Sequence, residues 1–390
     1  MSDVVGIEKI TDRAGTGAPD FTNGFNINGS DSGISPHKHT EGATEPSSPS
    51  NGDAWLDTDN NIYKVYIDGE WKDWLGTSTS SPTFNWGGSR AVYIGRFNYP
   101  SPYDREIDYF DISSSSNAAD FGDLTQARED GAGVSNGTRA VFAGGKVSST
   151  KYNTIDYITT ATTGNATDFG DLTTYPFSST GASSRDSLAS AGNNTYGLFM
   201  GGYLHGGGSG NIIDYITIAN TGNATDFGDL TAADHGGSAF NDATRAVYVQ
   251  GTDTSKNNIE YVSIDTPGNA TNFGTQTTAH SFEHASCADA TRGLTSGGIS
   301  SAPFLNHITY FTTQSAGNGT DFGNLTARCR HGSASDGTYG TFIGGYATSS
   351  SPYLINVIER VTIQTPANAT DHGDMQSISQ YIDATSGSAS

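Results

Sequence analysis

Positive charge is scarce in this 390-residue chain: 19 Lys and Arg stand against 41 Asp and Glu, a formal net charge of −22. A surface this acidic repels phosphate backbones and anionic lipid, so nucleic acid is not an expected partner. Cysteine is almost missing. The two present, Cys287 and Cys329, cannot build a disulfide framework and are expected as reduced, structural thiols. Long apolar runs are absent, and none approaches the ~20 residues that cross a bilayer, so membrane insertion is not expected. The opening residues Met1 to Lys9 lack the basic and apolar regions of a signal peptide, which predicts folding in a cytoplasm. No stretch sustains a helical period. No nucleophile motif, phosphate loop, cysteine-ligand pair or nucleotide fingerprint is found either, so no enzymatic activity is expected.

Glycine is plentiful, at 50 residues, among abundant Ser, Thr, Asn and Asp. Regularly placed Val, Ile, Tyr and Phe clusters turn that composition away from disorder and toward short strands joined by many turns, an all-β fold. A repeat organises them. The block Asn-Ala-Thr-Asp-Phe-Gly-Asp-Leu-Thr is intact at Asn165–Thr173 and Asn223–Thr231, with variants at Asn117, Asn269, Asn318 and Asn368. Its aromatic is Phe121, Phe169, Phe227, Phe273 and Phe322, with His372 in the sixth copy, at intervals of 48, 58, 46, 49 and 50 residues.

Two more blocks keep step with it. Ile-Asp-Tyr-Ile-Thr-Ile or a relative begins at Ile107, Ile155, Ile213, Ile259, Ile308 and Ile358, and its Tyr becomes Arg360 in the last copy. Thr-Arg-Ala-Val-Phe-x-Gly-Gly stands at Thr138–Gly145, with related forms at Ser89, Thr195, Thr244, Thr291 and Thr338. The first block alternates at period two and reads as a half-buried strand; the second is a short apolar strand ending where glycines allow a turn. Four short strands per ~50 residues cannot bury a face alone, so neighbouring units must stack. Radial closure into six blades is the expected architecture, with an open β-solenoid as the rival. The C-terminal Tyr381-Ile-Asp-Ala-Thr-Ser-Gly387 resembles the start of a further unit and is expected to join the strands from Ser89 onward. In the alternative, Thr83-Phe-Asn-Trp86 supplies that strand. The predicted organisation is an extended segment over residues 1–50, a small β-hairpin module over 51–81 and the repeat domain over 82–390.

The diglycine after an apolar strand, the Tyr strand and the aromatic near the end of each unit resemble Kelch β-propellers. Gly-Gly is intact in four copies; Gly95-Arg96 and Gly251-Thr252 depart from it, and Phe stands in place of the usual Kelch Trp. The segments Ile10–Phe21, Pro49–Thr58 and Ile62–Trp71, the last read as a hairpin turning at Asp68-Gly69, are similar to segments of marine tailed-phage virion proteins. Together they resemble a phage tail-fibre or virion-appendage protein with a Kelch-like head. That resemblance implies assembly in a host cytoplasm, residence in the virion, contact with other virion proteins through the N-terminal segment, and a homo-oligomer, with a trimer favoured. It implies attachment to a host-surface glycan or protein. A purely architectural tail or capsid role and a glycan-cleaving enzyme are the alternatives.

His37-Lys-His39 places two imidazoles on one side of an extended chain. Three chains around a threefold axis would supply six nitrogens, similar to the His-x-His iron sites of some phage fibres; two solvated histidines are the competing reading, and no other cofactor is expected. Asp168, Asp171, Asp226 and Asp229 recur, which favours Asx-turn roles over a catalytic pair needed only once. Arg90, Arg139, Arg245 and Arg292 share one position, with Tyr196 and Tyr339 in the other copies, and are expected to meet repeat carboxylates or stack on aromatics between units. The Asn-Ala-Thr sites match a glycosylation sequon but read as turn elements. His280 and His284 near Cys287 form a weak metal candidate. Specific binding is expected where the copies differ, above all in the long segment Gly201–Gly210, where Tyr203 and His205 are candidate ligand contacts.

Overall fold

The computed structural model describes residues 39–42, 44–57, 62–67, 69–73, 88–95, 104–173, 184–251, 258–276, 282–299, 304–347 and 353–388. The chain divides into two compact units, Met1–Pro82 and Thr83–Ser390. In the smaller one, Ala54–Asp57 pairs antiparallel with Ile62–Ile67, which pairs antiparallel with Glu70–Asp73. Ile67 lies opposite Glu70, leaving a two-residue turn with Gly69 at φ +89°. The module reaches further back than residue 51, because His39–Gly42 adds a parallel strand to Ala54–Asp57 and Gly42 accepts a 2.9 Å bond from the Trp55 indole N–H. Trp55 is buried there, edge-on to Trp71 at 5.7 Å.

The larger unit is all-β, and no helix occurs among the described residues. Among the described residues, six antiparallel sheets of the same design dominate it, with two two-stranded ones beside them. The second, Ala132–Ser135, Arg139–Ala143, Thr154–Thr159 and Thr167–Asp171, is ordered as the chain runs. The third to sixth sheets begin with Ala189–Gly192, Ser238–Asn241, Ala285–Ala288 and Gly332–Ser335 and repeat that order; the sixth carries the extra strand Arg328–Cys329. The first sheet takes its leading strand from the other end of the sequence. Asp383–Gly387 pairs antiparallel with Arg90–Ile94, followed by Glu106–Asp111 and Ala119–Asp123. The leading strands of neighbouring sheets lie against one another, and this circuit of contacts returns from the sixth sheet to the first.

Both faces of each sheet are covered. Ala140, Val141, Phe142 and Ala143 are all buried, and so is Asp156 in the third strand. The polar-out alternation expected for Ile-Asp-Tyr-Ile therefore fails, because a neighbouring sheet lies on each side. The apolar clusters form between sheets: Val134, Val141, Ile155 and Phe169 of the second pack with Phe199, Ile216 and Ile218 of the third. Ala334, Ile343, Ile358 and Met375 of the sixth likewise pack with Ala91, Tyr93 and Phe110 of the first.

Three kinds of polar contact recur in the sheets: an Asn clasp in all six, an arginine bridge in five and a buried ion pair in three. The Asn of each Asn-Ala-Thr-type block accepts a backbone N–H from the preceding sheet: Asn165 from Asp123, Asn223 from Asp171, Asn269 from Asp229, Asn318 from Thr275, Asn368 from Asn324 and Asn117 from Asp374, at 3.0–3.1 Å. These amides are sheet-to-sheet clasps, not elements of a local turn. The glycine after the aromatic serves the same approach, since a Cβ at Gly170 would come within 2.5 Å of the Gly222 carbonyl oxygen. The recurrent arginines form the second contact. Arg139 lies over the Tyr157 ring at 4.2 Å and donates to the Ile218 carbonyl at 3.0 Å; Arg90, Arg245 and Arg292 do the same over Tyr109, Tyr261 and Tyr310. They stack within their own sheet, and their partners in the next sheet are carbonyls instead of the expected carboxylates. In the sixth sheet the pair is exchanged: Arg360 lies over Tyr339 at 4.3 Å and donates to Ile112 of the first sheet. In the third, Tyr196 meets Tyr215 edge-on, and Asn193 bridges to Ala243 and Asp265 instead.

The third contact is a buried charge. Arg128 meets Asp156 at 2.7 Å, Arg185 meets Asp214 at 2.9 Å, and Arg328 pairs with Glu359. Thr125, at the end of the preceding sheet, also donates to Asp156, as Thr173 does to Asp214 and Thr326 to Glu359. Replacing Arg185 by Met leaves Asp214 buried without its counter-charge, an expected loss of about 3–5 kcal/mol. Arg185→Met combined with Asp214→Leu is expected to recover more than half of it, as read from denaturant midpoints of the three proteins.

Candidate functional site

The six leading strands surround a cavity of about 170 Å³ walled by Gly, Ala and Ser. Its hydroxyls face sideways. Ser190 donates to Gly133 O, Ser333 to Ser286 O and Ser335 to Ala288 O, each at 2.7 Å, and Ser386 donates to Ser335 O at 2.6 Å. The wall thus spends these donors on joining strands, and the chemistry lies at one end of the cavity.

Two residues before each leading strand, the chain takes a left-handed conformation. The six residues are Asp130, Ser187, Gly236, Glu283, Arg330 and Tyr381, with φ between 55° and 64°. Each backbone N–H donates to the carbonyl of its counterpart in the neighbouring sheet. Ser187 donates to Asp130, Gly236 to Ser187, Glu283 to Gly236, Arg330 to Glu283 and Tyr381 to Arg330, at 2.7–2.9 Å; Asp130 donates to Tyr381 at 3.4 Å and completes the circuit. Left-handed backbone disfavours side chains with a Cβ by about 1–2 kcal/mol. A position serving architecture alone would favour glycine, yet only Gly236 is one. Five different side chains are held there against that preference.

Their chemistry is an interlocked set of opposite charges. Lys146 Nζ lies 2.6 Å from Asp130 and 2.8 Å from Asp186, while Lys151 pairs with Asp186 and Arg330 with Glu283. The Ser187 hydroxyl donates to Asp130 at 2.8 Å. Both lysines come from the hairpin that follows Gly144-Gly145, whose second glycine, at φ +97°, admits the Glu129 carbonyl where a Cβ would stand 2.7 Å away. Burial, reinforced by Asp130, pushes the Glu129 carboxyl up to about 8. Glu283 is raised to about 7, burial outweighing Arg330, and burial also holds Asp383 far above the usual carboxylate range. Burial and the neighbouring Lys146 bring Lys151 down to about 8.

Aromatic rings border the charges. Tyr203 stands 4.8 Å from His235 and carries Lys151 over its face at 4.3 Å; His235 meets Phe282 edge-on at 5.4 Å. Arg330 and Lys146 lie over Tyr381 at 4.5 and 4.9 Å. Beyond Arg330, Tyr346 stacks with Tyr353 at 5.7 Å.

Of the residues singled out in the sequence, Tyr203 stands at this mouth and is 36% exposed. Its strand Tyr203–Leu204 pairs with Arg185–Asp186, which fixes the Gly201–Gly210 segment instead of leaving it a free linker. His205 is half-buried beside it, its backbone N–H donating to Ser184 O. Asp168, Asp171, Asp226 and Asp229 lie on fourth strands and not in turns. The Asx-turn role belongs to residues after the leading strands, such as Asn136 and Asp242, whose side chains accept the N–H groups two and three residues on. Cys287 and Cys329 are free and buried. His284 contacts Ser238 and the Gln250 carbonyl through its two ring nitrogens, and no group of three metal-ligating side chains occurs among the described residues. His280 and His37 lie outside the described residues; His39 begins the strand His39–Gly42.

Glu129 and Glu283 keep their protons in the folded chain at pH values where an ordinary glutamate, near 4.5, has lost them. The folded state then binds more protons than the unfolded one, so this contribution to stability falls as pH rises from about 4.5 to about 8 and is constant above. Glu129→Gln is expected to flatten that decline in a series of melting temperatures; parallel curves for the two proteins would refute the assignment. No protein-family description matches the chain, and no curated protein matches it.

Proposed function

We propose that the six sheets are blades of one Kelch-like β-propeller, and that the chain is a phage virion appendage whose propeller attaches to the host surface through the mouth just described. The observation that carries this reading is the ring of left-handed residues: the circuit is held by backbone, while its side chains differ from copy to copy. Residues repeated in every copy are spent on fastening sheets together, and the mouth gathers the ones that are not. Exposed aromatic rings next to paired charges suit a polar, hydroxyl-rich partner such as a surface glycan. The likeness of Ile10–Phe21, Pro49–Thr58 and Ile62–Trp71 to virion proteins supports an N-terminal anchor to other virion proteins, in a trimer. There His37 and His39 of three chains would meet at the axis and hold a metal ion.

Purified full-length chain is expected to bind intact host cells. Tyr203→Ala combined with Tyr353→Ala is expected to weaken that binding at least about tenfold, or 1.4 kcal/mol. Unchanged binding by the double variant would remove the mouth from the reading. A folded wild-type chain that ignores host cells, with its mouth covered by other subunits in the particle, would favour a purely architectural part.

A further inference from the structure

We infer that the mouth takes an uncharged saccharide, bound by hydroxyl groups bridging paired charges and by a sugar face laid on Tyr203. This rests on the attachment reading above and names its ligand class.

The argument begins with charge. Lys146, Lys151 and Arg330 are each committed to carboxylates, namely Asp130, Asp186 and Glu283. No one of the three cations is left without an acidic partner. An anionic ligand, such as a sialylated or uronate sugar, would have to draw a cation from its partner, and a cationic ligand the reverse. The formal charge of −22 adds a long-range penalty for polyanions. A hydroxyl has no such conflict. It accepts from an ammonium and donates to a carboxylate at once, using lone pairs and N–H groups that the ion pairs leave over. Bonds to ionised partners are about twice as strong as neutral ones.

Glu129 gives an independent indication. It is 4% exposed, and its Oε2 is buried with no hydrogen-bond partner. Its carboxyl lies within electrostatic reach of Asp130, Lys146 and Arg330, in the midst of the paired charges. An orphaned buried polar atom costs about 1–3 kcal/mol. A hydroxyl brought within reach of it would satisfy it without carrying a charge into the buried site.

The third observation is the Tyr203 ring. It is 36% exposed and contacts His235 and Lys151. A pyranose presents C–H groups on one face and hydroxyls around its edge. Laid on Tyr203, its C–H face covers the ring while its edge turns toward Lys151 and Asp186. A flexible side chain would lose entropy on binding, whereas this ring is already fixed.

The test is titration calorimetry of the full-length chain with galactose-, glucose- and mannose-ended oligosaccharides, beside sialylated and uronate-bearing ones. At least one neutral saccharide is expected to bind, its Kd changing less than about twofold when salt shortens the screening length from about 10 Å to about 3 Å. The acidic sugars are expected to bind at least about tenfold more weakly, and Tyr203→Ala to weaken the neutral sugar about tenfold. Tyr203→Phe keeps the ring face and should retain affinity, which separates stacking from misfolding. Tighter binding of an acidic sugar, or steep loss of affinity with salt, overturns the inference. So does binding to host cells without binding to any neutral saccharide, which leaves the attachment reading intact. Failure on both cells and sugars removes both.

Discussion

A sheet whose second strand is buried along its whole length has no face to offer water. Ala140 to Ala143 need cover on both sides, and a finite stack of such sheets would always end on two apolar faces. Returning the stack to its beginning is the arrangement that leaves none. Pairing Asp383–Gly387 with Arg90–Ile94 follows from this constraint, since it makes the last sheet's neighbour also the first. The Asn clasps, the arginine bridges and the buried ion pairs then act across interfaces that burial has already created. Individually these bonds are worth about 0.5–1.5 kcal/mol when neutral, so their joint effect is to fix the relative angle and register of sheets more than to drive assembly.

The same circuit of sheets gathers the mouth. Six chain segments converge where each leading strand begins, and every one must give its N–H to a neighbour. The left-handed turn aims the N–H along the circuit. Because the circuit is made by backbone groups, the side chain at each position is released from structural duty. That is the reverse of the Asn clasp, where the side-chain amide itself makes the bond and Asn stands in all six copies. Sameness in all six copies therefore marks a side chain that holds sheets, whereas the side chains on the backbone circuit are free to differ.

Much of the architecture was legible because it repeats. The three blocks, their spacing and the unit-like C-terminal segment predict the strands and the pairing of the two ends. What escaped the sequence did so for physical reasons. Period-two alternation in Ile-Asp-Tyr-Ile suggested a half-buried strand, but Asp156 is buried and the cation that neutralises it lies 28 residues earlier, in the preceding connection. A signal existed: Arg128, Arg185 and Arg328 each precede an acid of the third strand by 28, 29 and 31 residues. The exchange of Tyr339 and Arg360 within a single copy was a second signal, because two positions that swap residues together are in contact. The mouth was nearly invisible. Left-handed positions are usually read from glycine, and Gly236 alone carries that mark. Tyr203 was found through the length of its segment, while Glu129, Lys146 and Lys151 had nothing to single them out.

Separation of the two kinds of position also bears on specificity. The ring holds an acid, a hydroxyl, a glycine, a second acid, a guanidinium and a phenol, so successive sheets present different donors and acceptors to whatever enters. A symmetric ligand would meet mismatched partners at most of them. A ligand with one defined edge of hydroxyls can instead match a single arc, and the arc from Asp130 through Ser187 to Tyr203 combines lysines, carboxylates and an aromatic face. Under the proposed attachment role, a change of ligand would require altering side chains on that arc alone. The backbone circuit underneath remains, because none of its bonds depends on the residue carried there.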